Sequence, residues 1–169
     1  MLIFEHRIVR VSIAGGVDAN GKPQIQRVLL DDNRGNLDTV DSREVYEYLQ
    51  ETGEMISRYL DGFNTDFSDR RVAVGNRTLF FREVIQTAAK IPYGTTVSYG
   101  MLARNAGHPC AVRAAASVMR NNHLPILIPC HRVISANGCI GGYMGEKSGP
   151  FVELKKLLLA LENKNGTYQ

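Results

Sequence analysis

With 169 residues, three cysteines and a net charge of +3, the chain suits one large domain or two small ones. It can bury about 70% of its unfolded surface without a metal or disulfide staple. No apolar run approaches the ~18 residues of a membrane span, and the opening Met-Leu-Ile-Phe-Glu-His-Arg is not a charged-then-apolar signal segment. Neither a disulfide-framed secreted scaffold nor a membrane-spanning protein is expected, and an intracellular, reducing location is expected, cytoplasmic, or nuclear if the source is eukaryotic.

In chain order, Leu2, Phe4, Ile8, Val9, Val11 and Ile13 alternate imperfectly up to Gly15-Gly16, predicting a strand or hairpin. Asp18-Ala-Asn-Gly21 has turn chemistry, and a second strand is expected from Ile25 to Leu30, stopped by Asp31-Asp32-Asn33. Ser42 can cap a helix starting at Arg43 and closed by Asp61-Gly62. Its apolar positions recur near helical spacing, with Gly53 as a possible break. The polar stretch 61–77 holds the boundary between a front domain, residues 1–75, and a rear domain, residues 76–169. The fold class expected is α+β: a small N-terminal sheet-plus-helix domain, then a mainly helical C-terminal domain.

Within the rear domain, Leu79, Phe80, Val84, Ile85 and Ala88 mark an amphipathic helix over 78–90. A short helix capped by Ser98 ends at Gly107, His108 and Pro109 turn the chain, and a second helix occupies 110–121. Two short helices about a glycine-containing turn form a helix-turn-helix. The second is lined with small residues (Ala111, Ala114, Ala115, Ala116, Ser117), among which Arg113 is the one long side chain. Small residues serve helix packing and close approach to a nucleic-acid groove equally well; a lone cation on such a face suits insertion into a base stack. The last helix, from Pro150, sets Leu154, Leu157, Leu158 and Leu161 on one face.

Charge is unevenly spread: residues 1–75 carry a net −4 and residues 76–169 a net +7. Between Glu83 and Glu146 no acid occurs, while Lys90, Arg104, Arg113, Arg120 and Arg132 do. A surface with cations and no anions attracts phosphate by counterion release, so nucleic acid is the expected partner.

The chemistry concentrates in Ile126-Leu-Ile-Pro-Cys-His-Arg-Val133. The apolar run is expected to be an extended strand that Pro129 halts, delivering Cys130 on a tight turn with His131 beside it. A thiol with a pKa near ~8.5 is only a few per cent thiolate at neutrality, so a base partner that takes its proton matters. Taken alone, Cys130 would be a small buried hydrophobe and His131 a satisfied surface residue. The flanking proline and the helix pair just before it favour a nucleophile held behind a nucleic-acid-binding surface.

Val97-Ser-Tyr99, the run Met119-Arg-Asn-Asn-His-Leu-Pro-Ile-Leu-Ile-Pro-Cys-His-Arg-Val133 and Gly141-Gly-Tyr143 together resemble the O6-alkylguanine-DNA alkyltransferases, over about residues 78–162. The front part is similar only in outline, as that family's acidic cap. The resemblance implies a suicide DNA-repair protein that binds the minor groove of double-stranded alkylated DNA. It flips the lesion out and moves the alkyl group from O6-alkylguanine, and O4-alkylthymine, onto Cys130 in one displacement.

It further implies that His131 acts as base on Cys130 through water and that Glu162 orients His131. Asn122 braces the turn, and Tyr99 rotates the target phosphate and protonates the departing guanine. Val133, Tyr143, Met144 and Lys155 border the substrate, while Tyr99, Gly100, His108, Ala111, Arg113 and Ala114 meet the DNA, with Arg113 filling the vacated stack. No cofactor, metal or obligatory protein partner is implied, and the chain is expected to act as a monomer. On charge and position alone Glu162 would be a solvated C-terminal carboxylate; only the resemblance gives it a role. The loop 143–150 departs from the family pattern, with Met144 after the tyrosine and a lengthened Glu146-Lys-Ser-Gly149, so the alkyl groups it admits are not set by the resemblance.

Three rival readings remain. A metal site from Cys110, Cys130, His131 and Cys139 lacks short Cys-x-x-Cys spacing. A cysteine hydrolase has its Cys-His pair but no oxyanion motif. A DNA-binding module that senses lesions without repairing them would not need Cys130.

Overall fold

The computed structural model describes residues 1–30 and 42–163; the expected strand stop at Asp31-Asp32-Asn33 lies outside them. The described residues separate into two compact units. One is Met1–Gly75 with His123–Leu127; the other is Asn76–Asn122 with the chain from Ile128 onward.

In the first unit, β1 (Leu2–Phe4), β2 (Val11–Val17) and β3 (Pro23–Leu30) form an antiparallel sheet in that order, and α1 (Arg43–Leu60) packs on it. Val11 and Ile13 of β2 and Ile25, Val28 and Leu30 of β3 are all buried. Each such side chain contributes about 1.5–3 kcal/mol when fully buried. The strand does not end at its glycines. A bulge falls between Ala14 and Gly15, and a side chain on Gly15 would press within 2.6 Å of Leu49 Cδ2.

Helix α1 also runs through its glycine unbroken. A Cβ on Gly53 would overlap the Phe4 ring, so the residue that reads as a helix breaker is a notch for an aromatic side chain. Ser42 stands at the start of α1 without a side-chain capping bond.

In the second unit, α2 (Leu79–Ala89) is capped by Thr78, whose Oγ1 accepts from Phe81 N at 3.2 Å. Strand β4 (Val97–Ser98) leads directly into α3 (Tyr99–Asn105), capped by Ser98. Helix α3 closes in a Schellman turn: Gly107 (φ 85°) donates to Arg104 O, and His108 donates to Ala103 O at 2.8 Å. Helix α4 (Val112–Arg120) follows, burying Ala115, Val118 and Met119 against its neighbours.

The run 126–128 is not the extended strand expected. Ile126 adopts φ 72°, a left-handed conformation unusual for a β-branched residue, and the chain turns there. Residues His123–Leu127 group with the first unit, and His123 O accepts from Val28 N at 2.8 Å. A single 3₁₀ turn, Cys130–Arg132, comes next, then β5 (Val133–Ile134), paired in parallel with β4.

Finally α5 (Pro150–Glu162) opens with Pro150 at its first turn. Its buried face is Val152, Leu154, Lys155, Leu158, Leu159 and Glu162, whereas Leu157, expected inside, is 54% exposed. Two ionisable residues take core positions two turns apart in its place. No helix among the described residues is long and apolar enough to cross a membrane.

Candidate active site

Pairing of β4 with β5 aligns Val97 with Val133 and Ser98 with Ile134, which brings the start of α3 alongside the segment that follows Cys130. Tyr99, Cys130, Tyr143 and Met144 therefore line one cavity of about 260 Å³, whose wall is completed by Ala116, Met119 and Arg120 of α4 and by the loop 141–147. Cys130 is only 4% exposed, yet its accessible face opens onto this cavity.

The loop is shaped by its backbone. Tyr143 N donates to Glu146 O and Glu146 N to Tyr143 O, both at 2.9 Å, with Met144 at φ 49° between them. A Cβ on Gly142 would collide with the Glu146 carbonyl.

Behind the sulfur, Asn122 Nδ2 donates to Cys130 Sγ at 3.1 Å and to Ile128 O at 3.0 Å, tying the end of α4 to the turn. Burial pushes the Cys130 thiol up, while the Asn122 hydrogen bond, the Lys155 charge and a bond from Tyr143 pull it back. Tyr99 is raised too, by burial and then by the charge of Cys130.

His131 is fully buried, with Nε2 2.8 Å from Glu162 Oε1. Burial lowers its proton affinity; Glu162 opposes that, and the charges of Arg132 and Lys155 reinforce it. The ring is therefore held neutral near pH 7 and available to accept a proton. Asn122, not His131, is the hydrogen-bond donor to the sulfur.

Glu162 is no solvated charge but 6% exposed. It accepts from Arg132 Nε at 3.1 and 3.0 Å, from Arg132 Nη2 at 2.9 Å and from Gly94 N at 3.0 Å. Arg132, expected among the outward cations that attract phosphate, is instead 7% exposed and also donates to Ile91 O at 2.6 Å. A buried carboxylate needs a buried partner, and the guanidinium fork supplies one. Sequence reasoning missed this role for Arg132, and nothing in charge or spacing distinguishes it from Arg120. Lys155 is fully buried, its Nζ donating to Val133 O at 2.7 Å and to Gly142 O at 3.3 Å.

The remaining expected site residues lie outside the cavity lining. Gly100 is in the first turn of α3; Arg113 and Ala114 are exposed on α4, and Ala111 is half-buried just before it. His108, in the turn, is held 2.7 Å from Glu83 Oε2 with its ring edge-on to Phe80. Among the described residues no cluster of three or more His, Cys, Asp or Glu could hold a metal, and Cys110, Cys130 and Cys139 are free thiols.

The fold and the site together define a single-thiol centre on an α+β scaffold with two short helices at its side. Residues 79–164 match the family model described as the 6-O-methylguanine DNA methyltransferase, DNA binding domain, and the chain belongs to that family. A Methanothermobacter thermautotrophicus protein named methylated-DNA–protein-cysteine methyltransferase is 38% identical over 109 residues, 64% of this chain and 58% of that protein. One of the same name from Methanosarcina acetivorans is 37% identical over 116 residues, 69% of this chain and 70% of that protein. The chain thus spans less than two thirds of the first relative's length. The crystal structure of Mycobacterium tuberculosis OGT in complex with DNA superposes with a TM-score of 0.76 at 27% identity, covering 98% of this chain and 93% of that one.

Proposed function

We propose that this chain repairs alkylated double-stranded DNA inside the cell by one irreversible transfer of the alkyl group from guanine O6 to Cys130. The observation that carries the reading is Cys130 Sγ facing a cavity beside Tyr99 while Asn122 holds it from behind. Family membership and the DNA complex of the Mycobacterium tuberculosis relative support it.

In the reaction His131, neutral and oriented by Glu162, takes the thiol proton through water. The sulfur attacks the alkyl carbon, the S–C bond forms and the C–O6 bond breaks. Guanine leaves well only if a ring nitrogen gains a proton, which the Tyr99 hydroxyl gives and then regains through solvent as His131 releases the thiol proton. The balance is one alkyl group moved from oxygen to sulfur and one proton moved from thiol to guanine. The thioether resists hydrolysis, so each chain acts once.

Helices α3 and α4 form the DNA-binding pair, with Tyr99 and Arg113 stabilising the extruded nucleotide and the gap it leaves; flipping costs a few kcal/mol, less for a lesion that pairs poorly. Backbone groups near Val133, Tyr143 and Met144 border the flipped base.

The test is intact-mass spectrometry after mixing with a duplex carrying O6-methylguanine. The expected result is a gain of one methyl per chain, mapped to Cys130 and absent from Cys130→Ala. A methyl on Cys110 or Cys139 would overturn the assignment.

A further inference from the structure

The turn between α3 and α4 carries a histidine whose two ring nitrogens are treated differently. The backbone of His108 is fixed on both sides: its N–H donates to Ala103 O at 2.8 Å, and its carbonyl accepts from Ala111 N at 2.9 Å. Its ring stands edge-on to Phe80, with centroids 4.8 Å apart, and Nε2 lies 2.7 Å from Glu83 Oε2 of α2. A carboxylate only accepts, so Nε2 carries a proton. Nδ1 bonds to no other described residue and is open to solvent. The pair sits at the surface, its side chains 36% and 37% exposed. In the neutral ring, therefore, Nδ1 is an outward-facing acceptor. A phosphate oxygen is an acceptor as well, and the two have no bond to make. Only the imidazolium donates outward while keeping its bond to Glu83. Glu83 is also the last acid before Glu146, at the edge of a stretch whose other charges are all positive. An acid there works against phosphate binding unless it serves a neighbouring cation.

We infer that His108 is a phosphate contact of this turn that works only when protonated, with Glu83 as the positioning residue that imposes the condition, so that DNA binding takes up one proton. This rests on α3 and α4 being the DNA-binding pair, and it lies apart from the cavity where the alkyl group moves. The sign follows from the proton taken up. The gain in affinity is complete at low pH and is lost as pH rises through the range in which histidine changes charge, about pH 5 to 8. The charged and titratable groups on the elements around the ring are Glu83 and Arg82 of α2, Arg104 of α3, Arg113 of α4 and the Cys110 thiol in the turn. Arg82 is turned to Arg77 O at 3.0 Å, and among the described residues Glu83 alone is ion-paired with the imidazole.

The experiment measures binding of a fluorescein-labelled, unmodified duplex by fluorescence anisotropy from about pH 6 to about pH 8 at fixed ionic strength, in wild type, His108→Gln and Glu83→Gln. No lesion is present, so no alkyl transfer contributes. Wild-type affinity should fall at least about fivefold across the range, as expected for losing one charge-assisted hydrogen bond. His108→Gln should give a flat profile at the weak, alkaline level. Glu83→Gln should flatten the profile at the tight level instead, because an amide can donate to Nε2 and leave Nδ1–H of a neutral ring to meet the phosphate. Simple removal of an acid would raise affinity equally at every pH with the slope intact, and that result would overturn the inference. So would a wild-type profile without slope, a slope that survives His108→Gln, or an equal loss at every pH in either variant, which marks a merely structural role. Duplex binding with any of these profiles leaves the DNA-binding reading standing, whereas no duplex binding at any pH ends both.

Discussion

Arg132 and Glu162 show what a single pair of residues decides. Their ion pair is nearly dry, and breaking a buried pair from one side leaves an uncompensated charge costing about 3–5 kcal/mol. Arg132→Met should lower stability by that order in denaturant unfolding at pH 7. The deficit should shrink on acidification as the orphaned carboxylate takes up a proton. Adding Glu162→Gln should restore much of the loss, since neither charge is then left without a partner. Equal losses in the single and double variants would mean that packing of the guanidinium, rather than its charge, holds the site. Cys130 and His131 are legible in the sequence because their chemistry sits in adjacent letters beside a proline. Arg132 is not, because a positive charge in a sequence says nothing about which way it faces.

At the scale of elements, the helices could be read from their caps and apolar periods, and the short pieces between them could not. Ser98 caps α3 as its position predicts, whereas Ser42, expected to cap α1, makes no side-chain capping bond, and Thr78 caps α2. The closeness of Tyr99 to Cys130 comes from two strands of two residues each, too short to show an alternation, so only family resemblance brings those residues together beforehand. The apolar run at 126–128 misleads because β-branched residues favour strands, whereas Ile126 takes a left-handed turn conformation here. The face of α5 was displaced for a related reason: Lys155 and Glu162 hold positions that a hydrophobic pattern assigns to leucine.

Helix α4 also frames a prediction. Arg113 is exposed there and bonded to no other described residue, in contrast to Arg132. If it fills the gap left by the flipped base, Arg113→Ala should slow repair of duplex DNA at least about tenfold, roughly 1.4 kcal/mol, while leaving reaction with free O6-methylguanine nearly unchanged. Equal losses on both substrates, measured by methylation of Cys130, would contradict the wedge role.

At the scale of the molecule, the chain does not divide at one point. It leaves the second unit after Asn122, contributes His123–Leu127 to the first, and returns at Ile128. Leu124, Ile126 and Leu127 are all buried. A fragment beginning at Asn76 keeps these residues without residues 1–75, with which they cluster. It should bind a hydrophobic dye and melt over a broad range, whereas the whole chain should exclude the dye. A fragment that excludes the dye and melts sharply would show that this apolar segment is buried without the first unit.

The loop 141–147 carries a practical consequence. Because the reciprocal bonds between Tyr143 and Glu146 close it through main-chain atoms, the side chains of Met144, Glu146 and Lys147 are passengers on a fixed frame. Exchanging Glu146 and Lys147 should leave the frame and the sulfur in place, while Met144, at φ 49°, should tolerate only residues that accept a left-handed backbone. If Cys130 accepts an alkyl group as proposed, this edge of the cavity is a dial for tailoring which synthetic label it would take.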